Sequence, residues 1–436
     1  MSPNDNTHHI TALEFFCGIG GLHYGLQYSQ SDSPITTIKV PAAFDINHVT
    51  NAIYTHNFKT QPLQTAIEKL SKKDLDKYQA TTWLLSPPCQ PFTRGGKKLD
   101  HKDARSKGLL HLINLLPTLD FPPTYILLEN VLNFEVSRSR DLLVSMLVKE
   151  GYVFEEWLLS PLQFGIPNDR KRYYLTARRL EGFVKHLQDA KDVPEVKKDD
   201  GQKKGRKADK EKKEDERVVE SDDNEEGEGD EEDALVAVEL KLKTEWPYPV
   251  PPTHEISHYL DKGLQGQIGG STPHMPSSQH SAATKVTKEG VGSNVEALKI
   301  PEAFVKKRKF ISDGYVVGPA EKKSACFTKA YGHHGIGAGS FLQTKGFDIP
   351  KNLEDPAEAV ETYGLRFFSP TEVARLHGFP VPDALAEKGE GEKRVEGFKE
   401  FTFPEATTLI QRYRVLGNSL NVVVVGELLK RAVFSS

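Results

Sequence analysis

The sequence has no apolar run of about 18 residues, the length that a membrane-spanning helix requires, and this excludes a helical membrane protein. The first ten residues are polar and lack the apolar stretch of a secretory signal, so we do not expect secretion. Cysteine is scarce, because Cys17, Cys89 and Cys326 are the only three in 436 residues. Three cysteines cannot form a disulfide framework and are typical of a reducing compartment. We therefore expect the protein in the cytoplasm, with the nucleus as a second location.

An excess of positive charge is also lacking, since 57 Lys and Arg stand against 61 Asp and Glu and the formal net charge is −4. Taken alone, this balance argues against a nucleic-acid partner. The charge is uneven, however, because residues 191–233 contain 11 basic and 19 acidic residues and no aromatic residue. Such a segment buries too little apolar surface to fold, and we predict a disordered insertion over 187–238. The rest of the chain holds 46 Lys and Arg and 42 Asp and Glu, so the folded part is mildly basic.

Before the insertion, short apolar runs alternate with helical patterns, as in α/β proteins with a parallel sheet. The runs that we interpret as strands are 12–16, 39–44, 81–85 and 125–128, with a later pair at 152–159 and 172–178. Glycines, a cysteine and carboxylates follow directly after these runs. In open α/β sheets that edge is where ligands bind.

A glycine cluster, Gly18, Gly20 and Gly21, follows the first predicted strand and lets a ligand approach backbone N–H groups. His23 stands where the dinucleotide fingerprint has a third glycine, which disfavours a pyrophosphate-containing cofactor. Asp45 ends the next predicted strand, at the position where a carboxylate accepts hydrogen bonds from a ribose. This pattern fits a nucleoside cofactor without a pyrophosphate, such as S-adenosylmethionine, although glycine turns after a first strand are common.

The third predicted strand ends at Ser86, and three prolines within the following five residues surround Cys89. Prolines fix the backbone and remove donors, which is useful where one side chain must be aimed. We interpret Cys89 as a thiolate nucleophile. Glu129 follows the next buried run and reaches the same edge, where it can donate a proton or anchor a ring. Arg170 and Arg172, two residues apart at the start of a strand, can share one face.

Five motifs occur in the order seen in cytosine-C5 methyltransferases, and the chain resembles that superfamily over nearly its whole length outside the insertion. The motifs are Phe16–Gly21, Pro87–Gln90, Glu129–Val131, Arg170–Arg172 and Gly417–Leu420. Two further segments, Cys89–Arg94 and Cys326–Gly332, resemble the eukaryotic subgroup that looks like DNA methyltransferases but modifies tRNA.

The resemblance implies roles for the catalytic residues. Cys89 would attack C6 of a flipped cytosine, Glu129 would hold or protonate N3, and Arg170 and Arg172 would support the ring carbonyl and the Cys–Glu pair. C5 of the ring would then take the methyl group of S-adenosylmethionine, and loss of the C5 proton would release the thiol. Covalent attack is needed because C5 is otherwise a poor nucleophile. Flipping costs less in an anticodon loop than in a duplex.

The resemblance also implies the binding residues. Those expected at the cofactor are Phe16, Ile19, Gly20, Gly21, Asp45, Ile67, Glu68, Ser86 and Asn418. Ile67 and Glu68 are expected at the adenine, although Thr65–Glu68 departs from the Asp-Ile pattern common in the superfamily. Those expected at RNA are Arg94, Lys97, Cys326, Thr328 and Lys329. For Cys326, a packing role and redox pairing with Cys89 stay open as alternatives, and we expect no metal site because His333 and His334 lack further ligands.

The expected fold is a Rossmann-like α/β methyltransferase sheet with an inserted, smaller target-recognition domain. We predict the first part of the catalytic domain over 1–186, the charged insertion over 187–238, the target-recognition region over 239–364 with a polar loop at 262–292, and the return to the catalytic domain over 365–436. The expected substrate is cytosine 38 in the anticodon loop of tRNA for aspartate, and the expected state is a monomer. Two alternatives are a DNA cytosine-C5 methyltransferase and an inactive tRNA-binding protein.

Overall fold

The structure, a computed structural model, describes most of the chain outside the insertion. The described residues are 8–31, 35–88, 106–180, 238–261, 295–300, 315–333, 337–351, 355–382 and 399–434. The predicted insertion lies outside them except for Val238, and the predicted polar loop at 262–292 lies outside them entirely. Both therefore stay predictions.

The main sheet of the described residues has seven strands in the order β2-β1-β3-β4-β7-β5-β8. The strands of the chain are β1 (His8–Phe15), β2 (Ile35–Phe44), β3 (Thr82–Leu85), β4 (Tyr125–Val131), β5 (Tyr152–Leu159), β6 (Asn168–Asp169), β7 (Arg172–Arg179), β8 (Leu242–Lys243), β9 (Val316–Val317), β10 (Ser324–Ala325), β11 (Phe341–Leu342) and β12 (Arg366–Phe367). Strands β2, β1, β3 and β4 are mutually parallel, whereas β7 runs antiparallel to both β4 and β5. All six predicted strands are confirmed.

Helices cover both faces of the sheet, as a buried parallel sheet requires. They are α1 (Gly21–Tyr28), α2 (His48–Phe58), α3 (Lys72–Asp76), α4 (Lys107–Leu115), α5 (Arg138–Lys149), α6 (Pro356–Thr362), α7 (Pro370–Leu376), α8 (Leu409–Gly417) and α9 (Val422–Leu428). Short 3-10 turns lie at Ile67–Lys69, Leu116–Thr118, Phe134–Val136, Pro161–Phe164, Ile256–Tyr259 and Val295–Leu298, and a π-helical turn at Leu429–Val433. Helix α7 is capped by Ser369, whose side chain accepts a hydrogen bond from the Glu372 N–H.

The C-terminal helix returns to the first strand, as expected. Helix α9 packs on α1 through two glycines: a Cβ on Gly25 would lie 2.4 Å from Val425 Cγ1, and one on Gly426 would lie 2.3 Å from Tyr28 Cδ1. Their side chains join one apolar cluster with the inner residues of β1. This contact brings the turn before α9 next to the turn before α1, and so assembles the site from the two ends of the chain.

The second, smaller unit of the fold centres on a three-stranded sheet in the order β12-β11-β9. Strand β10 pairs with β6 and joins this region to the segment that precedes β7. Two short strands lie close to the predicted boundaries at 239 and 364, which stay predictions. Strand β8, at Leu242–Lys243, extends the main sheet, and β12, at Arg366–Phe367, belongs to the small sheet.

Candidate active site

The turn between β1 and α1 has an unusual backbone. Phe16, Gly18 and Gly20 have φ angles of 58°, 54° and 88°. A positive φ is strained for Phe16, whereas glycine adopts it freely. A Cβ on Gly20 would lie 2.2 Å from Phe58 Cε2, while one on Gly18 would meet nothing within 4 Å. The turn is therefore tightly packed on one side and open on the other.

The open side of this turn forms a pocket. Its wall comes from the β1–α1 turn, the end of β3 and the turn between α8 and α9. The lining residues are Phe16, Cys17, Gly18, Ile19, Gly21, Leu22, Thr50, Ser86, Val415, Asn418, Ser419 and Leu420. Of the predicted cofactor residues, the structure thus brings Phe16, Ile19, Gly21, Ser86 and Asn418 together. Gly20 supports the turn from behind.

Asp45 lies beside this pocket and holds the turn in place. Its Oδ2 accepts a hydrogen bond from the Gly18 N–H at 2.9 Å, and its Oδ1 accepts one from the Asn47 N–H at 2.8 Å. Burial raises the pKa of the Asp45 carboxyl, and these hydrogen bonds oppose that rise. Each carboxylate oxygen keeps a further lone pair for a ribose hydroxyl. The ribose contact stays a prediction.

Two predicted adenine contacts lie outside the lining of the pocket. Ile67 is buried in the core and packs against the first turn of α4, and Glu68 is exposed. An apolar side chain that the sequence argument missed is Ile46, which follows Asp45 directly, is 69% exposed and also lies outside the lining of the pocket. An exposed isoleucine beside a predicted ribose contact suits the flat face of a base. Its position directly after the carboxylate was a signal available in the sequence.

Glu129 forms the centre of a second cluster at the same edge of the sheet. Its side chain is 6% exposed, and Ser86 Oγ donates a hydrogen bond to its Oε2 at 3.0 Å. Arg172 Nε lies 3.5 Å from its Oε1. Glu129 and Ser86 end neighbouring parallel strands, which explains why their side chains meet.

The electrostatics of Glu129 favour its protonated form. Burial raises the pKa of this carboxyl, and the charges of Arg172 and Arg170 and the hydrogen bond from Ser86 only partly offset the rise. A raised pKa shifts the equilibrium of this carboxyl towards the neutral form, which is the form that can deliver a proton to a ring nitrogen. This is the property predicted for Glu129.

Arg170 and Arg172 both face the sulfur of Cys326, which confirms that the two arginines share one side. Arg170 Nη1 lies 3.2 Å and Arg172 Nη2 lies 3.8 Å from Cys326 Sγ. Burial alone would raise the pKa of this thiol, but the arginine charges and their hydrogen bonds outweigh burial, so the pKa is lowered. Cys326 therefore lies in the site with its sulfur against two guanidinium groups.

The segment after Cys326 packs on the end of α8. A Cβ on Gly417 would lie 2.1 Å from the carbonyl carbon of Thr328 and 2.2 Å from the N of Lys329, so the two backbones touch. Thr328 is half-buried and Lys329 is exposed. The remaining predicted site residues, Cys89, Arg94 and Lys97, lie outside the described residues. Their roles stay predictions.

The comparison with known families settles the class of this site. The family of C-5 cytosine-specific DNA methylases matches residues 10–433 of the chain. The chain belongs to this family. The matched range contains all the motif segments that the sequence analysis singled out. Enzymes of this family use S-adenosylmethionine as the methyl donor.

Individual relatives of this cytosine methylase extend over nearly the whole chain. The tRNA (cytosine(38)-C(5))-methyltransferase of Homo sapiens is 34% identical, with 97% of this chain and 98% of the relative covered. The DNA (cytosine-5)-methyltransferase of Dictyostelium discoideum is 33% identical, with 97% and 93% covered. Among solved structures, the Entamoeba histolytica methyltransferase EhMeth is similar, with a TM-score of 0.63, 25% identity and 97% and 98% covered.

The residues of this cytosine methylase fit the methyl donor. The open face of Gly18, the flanking Asp45 and Asn418, and the pocket between them suit a nucleoside that carries an amino-acid group. Across the described residues, no group of three or more His, Cys, Asp or Glu could hold a metal ion. Nor does that part of the chain contain a helix long and apolar enough to cross a membrane.

Proposed function

We propose that this enzyme methylates C5 of cytosine 38 in the anticodon loop of tRNA for aspartate. The observation that carries the proposal is the buried Glu129, hydrogen-bonded to Ser86 and paired with Arg172, beside the pocket for S-adenosylmethionine. The choice of tRNA rests on the full-length similarity to tRNA (cytosine(38)-C(5))-methyltransferases.

The proposed chemistry is a covalent addition and elimination. The Cys89 thiolate adds to C6 of the cytosine while Glu129 protonates N3, so the C5–C6 double bond is converted into a C4–C5 enamine that is nucleophilic at C5; N3 returns its proton to Glu129 when the thiolate is later expelled. S-adenosylmethionine supplies an electrophilic methyl group when bound. C5 takes this methyl, a base then removes the C5 proton, and the electron pair expels the Cys89 thiolate. Arg172 lies against Glu129 and keeps the carboxyl oriented toward the ring.

Exposed lysines around the mouth of the site support an RNA substrate. Strand β10 pairs with β6, so Lys322 and Lys323, which precede β10, lie close to Lys171, which follows β6. The exposed lysines of this rim are Lys171, Lys322, Lys323 and Lys329. Lys323 forms an ion pair with Asp169 at 3.0 Å. Positive charge along such a rim attracts the phosphates of a nucleic-acid backbone.

A DNA cytosine-C5 methyltransferase is the second candidate, and the relative from Dictyostelium discoideum favours it. The two functions share their catalytic residues and differ in the nucleic acid. Incubation of the pure protein with tritiated S-adenosylmethionine and either tRNA or genomic DNA separates them. We expect label in tRNA, and Cys89→Ala should abolish it while RNA binding persists. Preferential labelling of DNA would refute the proposed substrate, and transfer by Cys89→Ala would refute the covalent step.

We further propose that the enzyme acts as a monomer in the cytoplasm and the nucleus. The described cysteines, Cys17 and Cys326, are both free, as in a reducing compartment. Sedimentation of the pure protein with and without tRNA tests the monomer. Fractionation of cells tests the location.

A further inference from the structure

The side chain of Arg170 joins two parts of the site that bind different ligands. One guanidinium nitrogen, Nη1, donates to the carbonyl of Phe327 at 2.9 Å and contacts Cys326 Sγ at 3.2 Å. The other, Nη2, donates to the carbonyl of Gly417 at 3.2 Å and to that of Ser419. Arg170 is 3% exposed, and its two terminal nitrogens are both paired in these contacts, whereas its buried Nε has no hydrogen-bond partner among the described residues.

The two ends of this bridge belong to different pockets. Ser419 and its neighbours Asn418 and Leu420 line the cofactor pocket. Cys326 and Phe327 begin the segment expected to face the substrate, and Phe327 is fully buried beneath it. The planar, fork-shaped guanidinium spans both ends, which a lysine ammonium cannot do from one position.

Burial makes this bridge costly to break. A buried guanidinium that loses its acceptors is left as an unpaired charge in the interior. Its loss of partners costs several times more free energy than breaking an exposed ion pair. Movement of the cofactor turn should therefore move Arg170, and Arg170 should move the Cys326–Phe327 segment. Arg172 differs, because it contacts Glu129, Cys326 and its neighbour's carbonyl but neither Gly417 nor Ser419.

We propose that Arg170 is a positioning residue that couples cofactor binding to the state of the substrate-facing segment, through its simultaneous contacts with Ser419 and Phe327. Cofactor bound at the Asn418–Leu420 turn holds Arg170 in place, and Arg170 fixes Cys326 and Phe327 for the nucleic acid. By linkage, nucleic acid bound at that segment tightens the cofactor by the same factor. This inference rests on the proposed function only for the identity of the nucleic acid.

The first test needs no nucleic acid. Alkylation of Cys326 by iodoacetamide is followed by peptide mass spectrometry, with and without S-adenosylhomocysteine. In the wild-type protein we expect S-adenosylhomocysteine to accelerate alkylation of Cys326 at least threefold, because it holds the Arg170 guanidinium against the sulfur and the thiolate is the form that is alkylated. Arg170→Lys should abolish that ratio, whereas the matched control Arg172→Lys should keep it. An equal ratio in wild type and Arg170→Lys, or no effect in wild type, would overturn the coupling.

The second test measures the coupling itself. The Kd of S-adenosylhomocysteine is determined with and without saturating tRNA, and we expect at least a fivefold tightening, the lower end of usual coupling. Arg170→Lys should reduce this factor to about one, with Arg172→Lys unaffected. If Arg170→Lys does not fold, Gly417→Ala replaces it, because it parts the bridged segments with Arg170 intact. If the fivefold tightening of S-adenosylhomocysteine by tRNA survives in the test variant, the proposal is contradicted. If the wild-type protein does not bind tRNA, the proposed substrate is contradicted, and the alkylation result then decides the coupling.

Discussion

Replacement of Gly417 by alanine should break the contact between the two halves of the site. The added Cβ would lie 2.1 Å from the Thr328 carbonyl carbon and 2.2 Å from the Lys329 N. These are backbone atoms, which cannot turn away as a side chain does, so the segment must retreat by about 1.3 Å or more to reach ordinary contact distance.

The cost of Gly417→Ala follows from two opposing effects. Overpacking of a tight contact costs about 1–3 kcal/mol, and a clash with backbone belongs at the upper end. Alanine in a helix is favoured over glycine by about 1 kcal/mol, and Gly417 is the last residue of α8. We therefore expect a loss of about 2 kcal/mol in the free energy of unfolding.

Urea unfolding followed by fluorescence measures this loss, and Gly318→Ala is the matched control. A Cβ on Gly318 would have its nearest neighbour at 3.7 Å, so we expect a change within about 0.5 kcal/mol. At temperatures where both variants are folded, Gly417→Ala should also raise the KM for tRNA, because Thr328 and Lys329 are displaced. A Gly417→Ala protein with wild-type unfolding and wild-type kinetics would refute the packing of this segment on α8.

Three further predictions concern the two pockets and the insertion. Because burial raises the pKa of Glu129, the contribution of this carboxyl to the free energy of unfolding is greatest below the pKa of an unfolded glutamate and is lost as pH rises through the folded value, by about 1.4 kcal/mol per unit of difference. Glu129→Gln lacks this loss, so its free energy of unfolding relative to wild type should increase with pH. A pH-independent difference contradicts the raised pKa. Asp45→Ala removes the acceptor of the Gly18 and Asn47 N–H groups and should weaken S-adenosylhomocysteine at least tenfold by calorimetry, whereas unchanged affinity would remove Asp45 from the site. Deletion of residues 191–233 should leave methyl transfer intact and tighten tRNA binding at low salt in a filter assay, and loss of activity would show that the segment is needed.

The strands and the glycine turn were predictable because their signals are local. Buried parallel strands appear as short apolar runs, and the residues after them reach one edge by geometry alone. Ser86 and Glu129 could thus be expected near each other, and their hydrogen bond is present.

What the sequence could not show are contacts between residues far apart along the chain. Nothing near Arg170 indicates that its acceptors lie at Phe327, Gly417 and Ser419, more than 150 residues away. The sheet to which each short strand belongs could not be predicted for a related reason. Two-residue strands such as β8 and β12 are assigned to a sheet by their pairing partner, and so short a run has no periodicity to measure.

Bisulfite sequencing of tRNA treated with this protein and S-adenosylmethionine tests the central claim most directly. We predict one cytosine protected from conversion, at position 38 of tRNA for aspartate, and full conversion when Cys89→Ala replaces the wild-type protein. Complete conversion of tRNA by the active protein, together with methyl transfer to DNA, would contradict the account.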